Sequence, residues 1–409
     1  MPSLTRCRSC DSSVLKEVLD LGLLPLANSL VDRALPEKSE PRFPLRLVFC
    51  AGCSLVQITE TVSPDILFRD YVYFSSFSDT MLEHVRKASV SMIQKKALGS
   101  DSLVMEIASN DGYLLKNFVK AGIPVLGIEP ALNVAAVAEK NGVKTVSQFF
   151  SLELANQFAA EGKFADVIFA NNVMAHIPEI NGVVRGIKKI LKSDGIFVME
   201  TPYLKPFMDH LEFDTIYHEH LFYYSLTALQ ALFARHELEI SDVEFLSIHG
   251  GSARVFVSHA GKAENSAKVL TLLDDEKKWG VLSERFYSGF SDQVASLRTS
   301  LKDLLLKLKS EGKTLAAYGA AAKGSTLLNS IGVGAETIDF VVDRSPYKQG
   351  KYTPGGRIPI LKPEALLEKK PDFVLILAWN FAEEIMSQQQ EFAKGGGRYI
   401  LPIPEVRVL

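Results

Sequence analysis

Four cysteines fall into two pairs of the same spacing, Cys7-Arg8-Ser9-Cys10 and Cys50-Ala51-Gly52-Cys53, and the chain has no others. A two-residue gap lets both thiolates of a knuckle turn toward one cation, and two knuckles complete a tetrahedral shell for structural zinc. A thioredoxin-like redox pair is the competing chemistry, although neither pair stands at a strand-to-helix junction. Two free dithiols are the plain alternative. A closed four-thiolate shell leaves no open position for a reaction, so the reactive groups must lie elsewhere. The densest titratable cluster is Phe213-Asp214-Thr215-Ile216-Tyr217-His218-Glu219-His220-Leu221-Phe222. If that segment is extended, His218 and His220 share one face while Tyr217 and Glu219 share the other. An imidazole titrating near neutrality, beside a phenol, suits proton transfer at a reacting group. Two other readings stand next to it: His218, Glu219 and His220 as ligands of a catalytic metal, or a polar surface loop whose groups are satisfied locally.

These groups need a scaffold. At 409 residues the chain exceeds one ordinary core, and two or three domains are expected. Its 47% hydrophobic and 23% charged residues are those of a globular protein, and a net charge of −3 gives no footprint for nucleic acid. Charged residues interrupt every long apolar stretch, so neither a membrane span nor a signal peptide is expected. Paired, metal-ready thiols fit a reducing compartment, hence a cytoplasmic protein. Nothing fixes the oligomeric state, and a monomer is compatible with the pattern. Three regions separate: a knuckle-bearing lobe over 1–65, an α/β domain over 66–290 and a second α/β domain over 291–409. In the middle region short apolar runs at 102–107, 124–128, 143–146, 165–170 and 195–200 alternate with amphipathic stretches. That alternation predicts a parallel sheet with helices on both faces. A helical segment at 297–309 leads into the last region, where runs at 314–318, 338–342 and 373–378 repeat the pattern.

The segment Val104-Met105-Glu106-Ile107-Ala108-Ser109-Asn110-Asp111-Gly112 reads as strand, turn and helix start, and the next strand ends in Ile128-Glu129-Pro130. A carboxylate at the tip of a second strand is placed to accept both hydroxyls of a ribose. Glu106 and Asp111 repel a pyrophosphate and welcome a cation. Ala108 also replaces the first glycine of a dinucleotide loop. The sulfonium and ammonium of S-adenosylmethionine (SAM) suit this charge pattern better than NAD does. Ligands of open parallel sheets sit at the carboxyl ends of strands, which makes Asn171 and His176 candidates. Phe149 and Phe150 offer to sandwich an adenine, or are plain core.

The arrangement resembles class I SAM-dependent methyltransferases. Over essentially the full length it resembles the zinc-containing sugar C-methyltransferases that build branched deoxysugars on nucleotide carriers. The resemblance rests on the paired knuckles, the Asn110-Asp111-Gly112 turn, the segment 171–178, the Tyr217-His218-Glu219-His220 run and Tyr318-Gly319-Ala320-Ala321-Ala322-Lys323. It implies methyl transfer from SAM to the carbon beside the ketone of a dTDP-linked 4-keto-deoxysugar, at C-3 in preference to C-5. It also implies a second Rossmann-like domain at the C-terminus, with His220 as base and Tyr217, Glu219 and His176 completing the site. Glu106, Ala108, Asn110, Asp111, Glu129 and Pro130 would then border the cofactor, and Tyr71 and Tyr73 would form an aromatic flap or pack between lobes.

For the nucleotide-sugar, His249-Gly250-Gly251-Ser252-Ala253-Arg254 allows close backbone approach and offers an arginine to a diphosphate. A glycine turn with a surface arginine is the equal alternative. The turn before Lys323 forms an anion site at a helix start. Trp379 and Asn380 follow the next strand but one and line the same cleft, unless they belong to the core. An NAD(P)-dependent oxidoreductase using this last domain is the first competing function. A non-catalytic, zinc-bearing scaffold that binds SAM is the second.

Overall fold

The computed structural model describes residues 4–32, 40–68, 75–77, 79–246 and 251–409. Within them the chain forms three sheets. The first lobe contributes β1 (Leu15–Pro25), β2 (Arg42–Cys50) and β3 (Val56–Ile58), paired antiparallel in that order. The middle region supplies β4 (Val104–Ile107), β5 (Val125–Ile128), β6 (Thr145–Val146), β7 (Ala165–Asn171) and β8 (Leu191–Pro202) as a parallel set. Next comes β9 (Phe222–Tyr223), which leaves its own domain and pairs antiparallel with β3 of the first lobe. Two further strands, β10 (Leu238–Leu246) and β11 (Ser252–His259), add an antiparallel edge against β8. The order of the seven-stranded sheet is therefore β10-β11-β8-β7-β4-β5-β6.

Strand β7 reads Ala-Asp-Val-Ile-Phe-Ala-Asn, and Val167, Ile168 and Phe169 are buried, as expected of a strand covered on both faces. The helix Ile180–Ile190 that follows turns Val183, Val184, Ile187 and Ile190 onto the sheet at a helical spacing. Chain order reverses between β4 and β7, so the carboxyl ends of these two strands open a crevice at the topological switch point. Glu106 to Asp111 run off the end of β4, and Asn171 to His176 run off the end of β7. Both candidate groups thus meet at one place.

The last region contains β12 (Leu315–Tyr318), β13 (Phe340–Val342), β14 (Ile360–Leu361), β15 (Phe373–Ile376), β16 (Arg398–Leu401) and β17 (Arg407–Val408), ordered β14-β13-β12-β15-β16-β17. Its switch point lies between β12 and β15, which brings the turn before Lys323 to Trp379 and Asn380. The helix Phe290–Ser310, longer than the predicted 297–309, leads into this domain. One buried apolar cluster runs through all three regions, from Leu47 and Phe49 through Ile168 and Phe197 to Leu305, Leu327 and Ile400.

Candidate active site and zinc centre

Each knuckle closes by an amide bond back to its first cysteine, Asp11 N to Cys7 O at 2.9 Å and Ser54 N to Cys50 O at 2.8 Å. The residue after each pair is left-handed, Asp11 at φ 61° and Ser54 at φ 55°, so the two knuckles share one backbone shape. A Cβ on Gly52 would lie 3.0 Å from Ser12 Cβ and 3.4 Å from Cys10 Sγ, so glycine is what lets the knuckles approach. Sulfur separations are 3.7 Å for Cys7–Cys53 and 3.6 Å for Cys10–Cys50, and all four lie within 4.8 Å of one another. Tetrahedral zinc with Zn–S of about 2.3 Å sets sulfurs about 3.8 Å apart. A disulfide needs about 2.05 Å. The donor set and its spacing fit zinc, held by Cys7, Cys10, Cys50 and Cys53. Gln57 of β3, fully buried, donates from Nε2 to Cys7 Sγ at 3.1 Å and accepts from the Arg8 amide at 3.2 Å. Arg8 reaches on to the carbonyls of Ile58 (2.6 Å) and Glu60 (3.1 Å), tying the first knuckle along β3.

At the central switch point the turn after β4 carries exceptions to ordinary backbone geometry at three alternate positions, Ala108 (φ 55°), Asn110 (φ 49°) and Gly112 (φ 78°). Two are not glycine, and strain of this kind concentrates at functional sites. Glu106 is wholly buried and neither of its carboxylate oxygens has a hydrogen-bond partner. Burial, then the charges of Glu129, Asp111 and Glu200, push it well above the usual carboxylate range. Asn171 also lacks partners for both halves of its amide, as do Ser109 Oγ and Asp111 Oδ1. Buried polar groups are normally satisfied. The orphaned carboxylate oxygens of Glu106 and Asp111, with the Asn171 amide oxygen, fit a cationic ligand that donates hydrogen bonds. Glu129 is different: its oxygens each accept one amide, from Asn110 and from Ala131, both at 2.9 Å. That leaves each oxygen with capacity for a further donor, beside the half-buried Pro130. The two phenylalanines do not form a sandwich. Phe150 is buried against Gly186 and Ala155, because that helix packs on it, whereas Phe149 is 43% exposed.

Tyr71 and Tyr73 lie outside the described residues, as does His249. The short turn Ser75–Phe77 that follows the tyrosines lies on the cofactor loop, with Ser75 N donating to Asn110 Oδ1 (3.0 Å) and Ser76 N to Asp111 Oδ2 (3.2 Å).

The titratable cluster is a tight turn, not an extended segment. His220 N donates to Tyr217 O at 2.9 Å, and Leu221 N is fixed on Ala175 O at 2.7 Å. Tyr217 and His220 therefore share a face, and His218 points elsewhere. Its Nε2 donates to Pro44 O at 3.2 Å and its ring meets Phe43 edge-on, a contact that joins the turn to the zinc lobe. The phenol of Tyr217 lies 2.7 Å from His220 Nε2, and the rings are 4.0 Å apart. His220 Nδ1 faces Thr215 O at 3.1 Å. A carbonyl only accepts, so Nδ1 carries the proton and Nε2 presents its lone pair to the tyrosine. His176 packs edge-on to His220 with centroids 4.8 Å apart, and burial above all depresses it to about 4, keeping it neutral. Glu219 is buried and raised to about 7 by loss of water, offset by a 2.7 Å bond from Asn28.

The C-terminal switch point contacts this turn from the other side. Lys323 Nζ donates to Asn380 Oδ1 at 2.7 Å and lies 4.6 Å over the Trp379 ring. Trp379 Nε1 donates to Asp214 Oδ2 at 2.7 Å, next to the Thr215 carbonyl that orients His220. Burial raises Asp214 to about 6 against the pull of Lys323, and burial also lowers Lys323. Arg254 is not with them. Its guanidinium lies buried at the end of β8, where it bonds Glu200 (2.6 Å) and Glu244 (3.0 Å) and faces His84. The antiparallel register sets Arg254 opposite Glu200, so its charge neutralises a buried acid of the central sheet and is not offered to a diphosphate. Gly251 (φ 122°) accepts from Tyr203 N at 3.1 Å and leaves no room for a Cβ beside Pro206, which is a packing role. Sequence reasoning missed Asn28, His84 and Glu200. Each acts through a partner distant in the chain, and none carries a local motif.

Three family models match in chain order: a putative zinc binding domain over 7–68, a methyltransferase domain over 81–243 and a C-methyltransferase C-terminal domain over 247–404. The C-methyltransferase NovU of Streptomyces niveus is 38% identical over 408 residues, covering 99% of this chain and 97% of that protein. A ubiquinone biosynthesis O-methyltransferase of Actinobacillus pleuropneumoniae serotype 5b (strain L20) is 29% identical over 116 residues, 27% of this chain and 50% of that one. Among solved structures, magnesium protoporphyrin IX methyltransferase (ChlM) from Synechocystis PCC 6803 with bound SAH aligns at 11% identity and TM-score 0.36, over 44% of this chain and 83% of its own. The full-length relation and the three matches in sequence set aside the oxidoreductase and the scaffold, and the chain belongs to the family of zinc-binding, SAM-dependent C-methyltransferases.

Proposed function

We propose that the chain methylates the carbon beside the ketone of a nucleotide-linked 4-keto-deoxysugar, carried by dTDP, at C-3 in preference to C-5. The observation that supports this most is the Tyr217–His220 pair, a 2.7 Å bond with the far ring nitrogen anchored on Thr215. Carbon becomes a nucleophile only after losing a proton, and an adjacent ketone makes the resulting carbanion accessible as an enolate. Bound SAM supplies the electrophilic methyl on a sulfonium.

The chain's own residues do the rest. His220 Nε2 takes the proton from carbon, while the Thr215 carbonyl keeps Nδ1–H in place and the ring in its orientation. Nε2 has one lone pair, so the Tyr217 hydroxyl must leave it, and the ketone oxygen is then its natural acceptor. A hydrogen bond given up in the resting site is remade where negative charge develops. His176, held neutral, adds no repelling charge beside the imidazolium. Glu106, Asp111 and Asn171 would hold the cationic end of SAM, and Glu129 its ribose. Lys323, Trp379 and Asn380 would take the nucleotide at the C-terminal switch point, where Asp214 links them to the reacting turn. Among the described residues no helix is long and apolar enough to cross a membrane. Paired cysteines that hold metal rather than form disulfides, and a nucleotide-sugar substrate, suit the cytoplasm.

The test is incubation with SAM and a panel of dTDP-4-ketosugars, read by mass spectrometry for the gain of one methyl. A parallel incubation in D₂O without SAM reads deuterium uptake beside the ketone. Absence of both products across the panel overturns the reading.

A further inference from the structure

The zinc-bearing lobe reaches into the reacting turn. Asn28 follows the end of β1, and its Nδ2 donates to Glu219 Oε1 at 2.7 Å across 191 residues of chain. Glu219 is buried between His218 and His220 on the turn, while Asn28 itself is exposed. Three residues further on, Val31 bridges antiparallel to Tyr352 of the C-terminal domain, with amide bonds of 2.9 Å in both directions. The loop is thus fixed between two domains, with its one amide side chain on the acid of the third.

We propose that Asn28 is a positioning residue of the reaction site, whose amide N–H holds the Glu219 carboxyl on the turn that carries the Tyr217–His220 pair and favours its ionised form. This rests on the turn being the site of proton abstraction, as proposed above. Asparagine suits the task because its N–H donates to a carboxylate and so favours the ionised form. Alanine cannot. Aspartate keeps the shape and loses the donor. Each turnover breaks one C–H and one S–C bond, forms one C–C bond and releases one proton, which His220 carries first. An ionised Glu219, one residue from His220 in the chain, would favour the imidazolium at that moment. The titratable neighbours are Tyr217, His218 and His220 on its own turn, His176 from the preceding turn, and Glu60 of the zinc lobe, which acts on His218. Among the described residues no cation pairs with Glu219, and its acidity follows from burial and the Asn28 bond, with a balance near about 7.

The test reads protonation directly. The infrared band of the Glu219 carboxylic acid, identified by its loss in Glu219→Gln, is followed against pH in the full-length protein. The wild-type midpoint should fall near about 7. A bond to a charged group is worth about one to two pH units, so Asn28→Ala should raise the midpoint by that much. Asn28→Asp, which keeps the packing should the alanine variant fail to fold, should raise it at least as far, since two carboxyls then share the place. Solvent exchange at the ketosugar carbon should fall about tenfold at pH 7 in Asn28→Ala and recover above the new midpoint. A midpoint unmoved in both variants, or a loss of exchange equal at every pH, overturns the proposal. A wild type that exchanges no ketosugar while the midpoint moves as stated overturns the proposed reaction and supports the Asn28–Glu219 assignment.

Discussion

Replacing Glu106 by glutamine should make the ligand-free protein more stable while making it a worse binder of SAM. The carboxyl is 0% exposed, has no hydrogen-bond partner and faces Glu129, Asp111 and Glu200. A carboxyl raised on folding destabilises nothing below its unfolded value of about 4.3, and the penalty grows as pH rises toward the folded value. At pH 7 about 2.7 pH units separate the solution from the unfolded group, so the penalty is bounded by about 3.7 kcal/mol however high the folded value lies. Glutamine has the same shape and no proton to hold. Urea titration should therefore show Glu106→Gln more stable by about 1–3 kcal/mol at pH 7, with the gain vanishing near pH 4. The lost charge-assisted bond should weaken SAM by about ten- to a hundredfold. Calorimetry in buffers of different ionisation heat should detect proton release when SAM binds the wild type, and less of it in the variant. A variant that is less stable at pH 7, or that binds SAM as tightly as the wild type, would refute the assignment of this crevice.

Four shorter tests follow. His220→Asn retains one hydrogen bond but cannot accept a proton at neutral pH, so methyl transfer should fall by about 10²–10⁴-fold, with solvent exchange lost and SAM binding retained; exchange at the wild-type rate would move the base to Tyr217 or His176. Glu129→Ala should weaken SAM about ten- to a hundredfold and nucleotide-sugar much less, measured by titration calorimetry, because the group sits at the end of β5 on the Asn110 turn proposed to hold the cofactor. Metal analysis of fresh protein should find one zinc per chain. Gln57→Leu, which removes the donor to Cys7 Sγ, should speed its loss to a chelator by roughly ten- to a hundredfold.

What local chemistry dictates was legible in the chain. Cysteine spacing foretold the cluster, and the runs at 102–107 and 165–170 foretold β4 and β7 because a strand buried on both faces must be continuously apolar. That Asn171 and His176 stand at the mouth of the crevice was read from strand ends alone. What escaped depends on pairing at a distance. Nothing near Arg254 signals that Glu200 will lie opposite it, and a glycine pair ahead of an arginine reads equally well as an anion loop. The turn at Tyr217 contains no glycine or proline. It is bent by its neighbours, with Leu221 held by Ala175 on one side and by Ile58 of β3 on the other, so alternation along the chain gave the wrong faces. The second aromatic of Phe149-Phe150 likewise went inward because a helix more than thirty residues later packs there.

Strand β9 has a consequence for how the molecule is made. The two knuckles span 47 residues and lie within the first 53, so zinc can close the lobe soon after they leave the ribosome. The edge of β3 stays bare until Phe222 and Tyr223 arrive, roughly ten seconds or more later at ordinary elongation rates. An unpaired edge invites other chains, and here the interval is spanned by metal rather than by backbone. The lobe cannot be cut away and expressed as an independent unit without exposing that edge, and the methyltransferase core expressed alone would lose the strand that anchors its reacting turn. Growth medium depleted in zinc should therefore yield aggregates during synthesis, even where the finished protein tolerates removal of the metal.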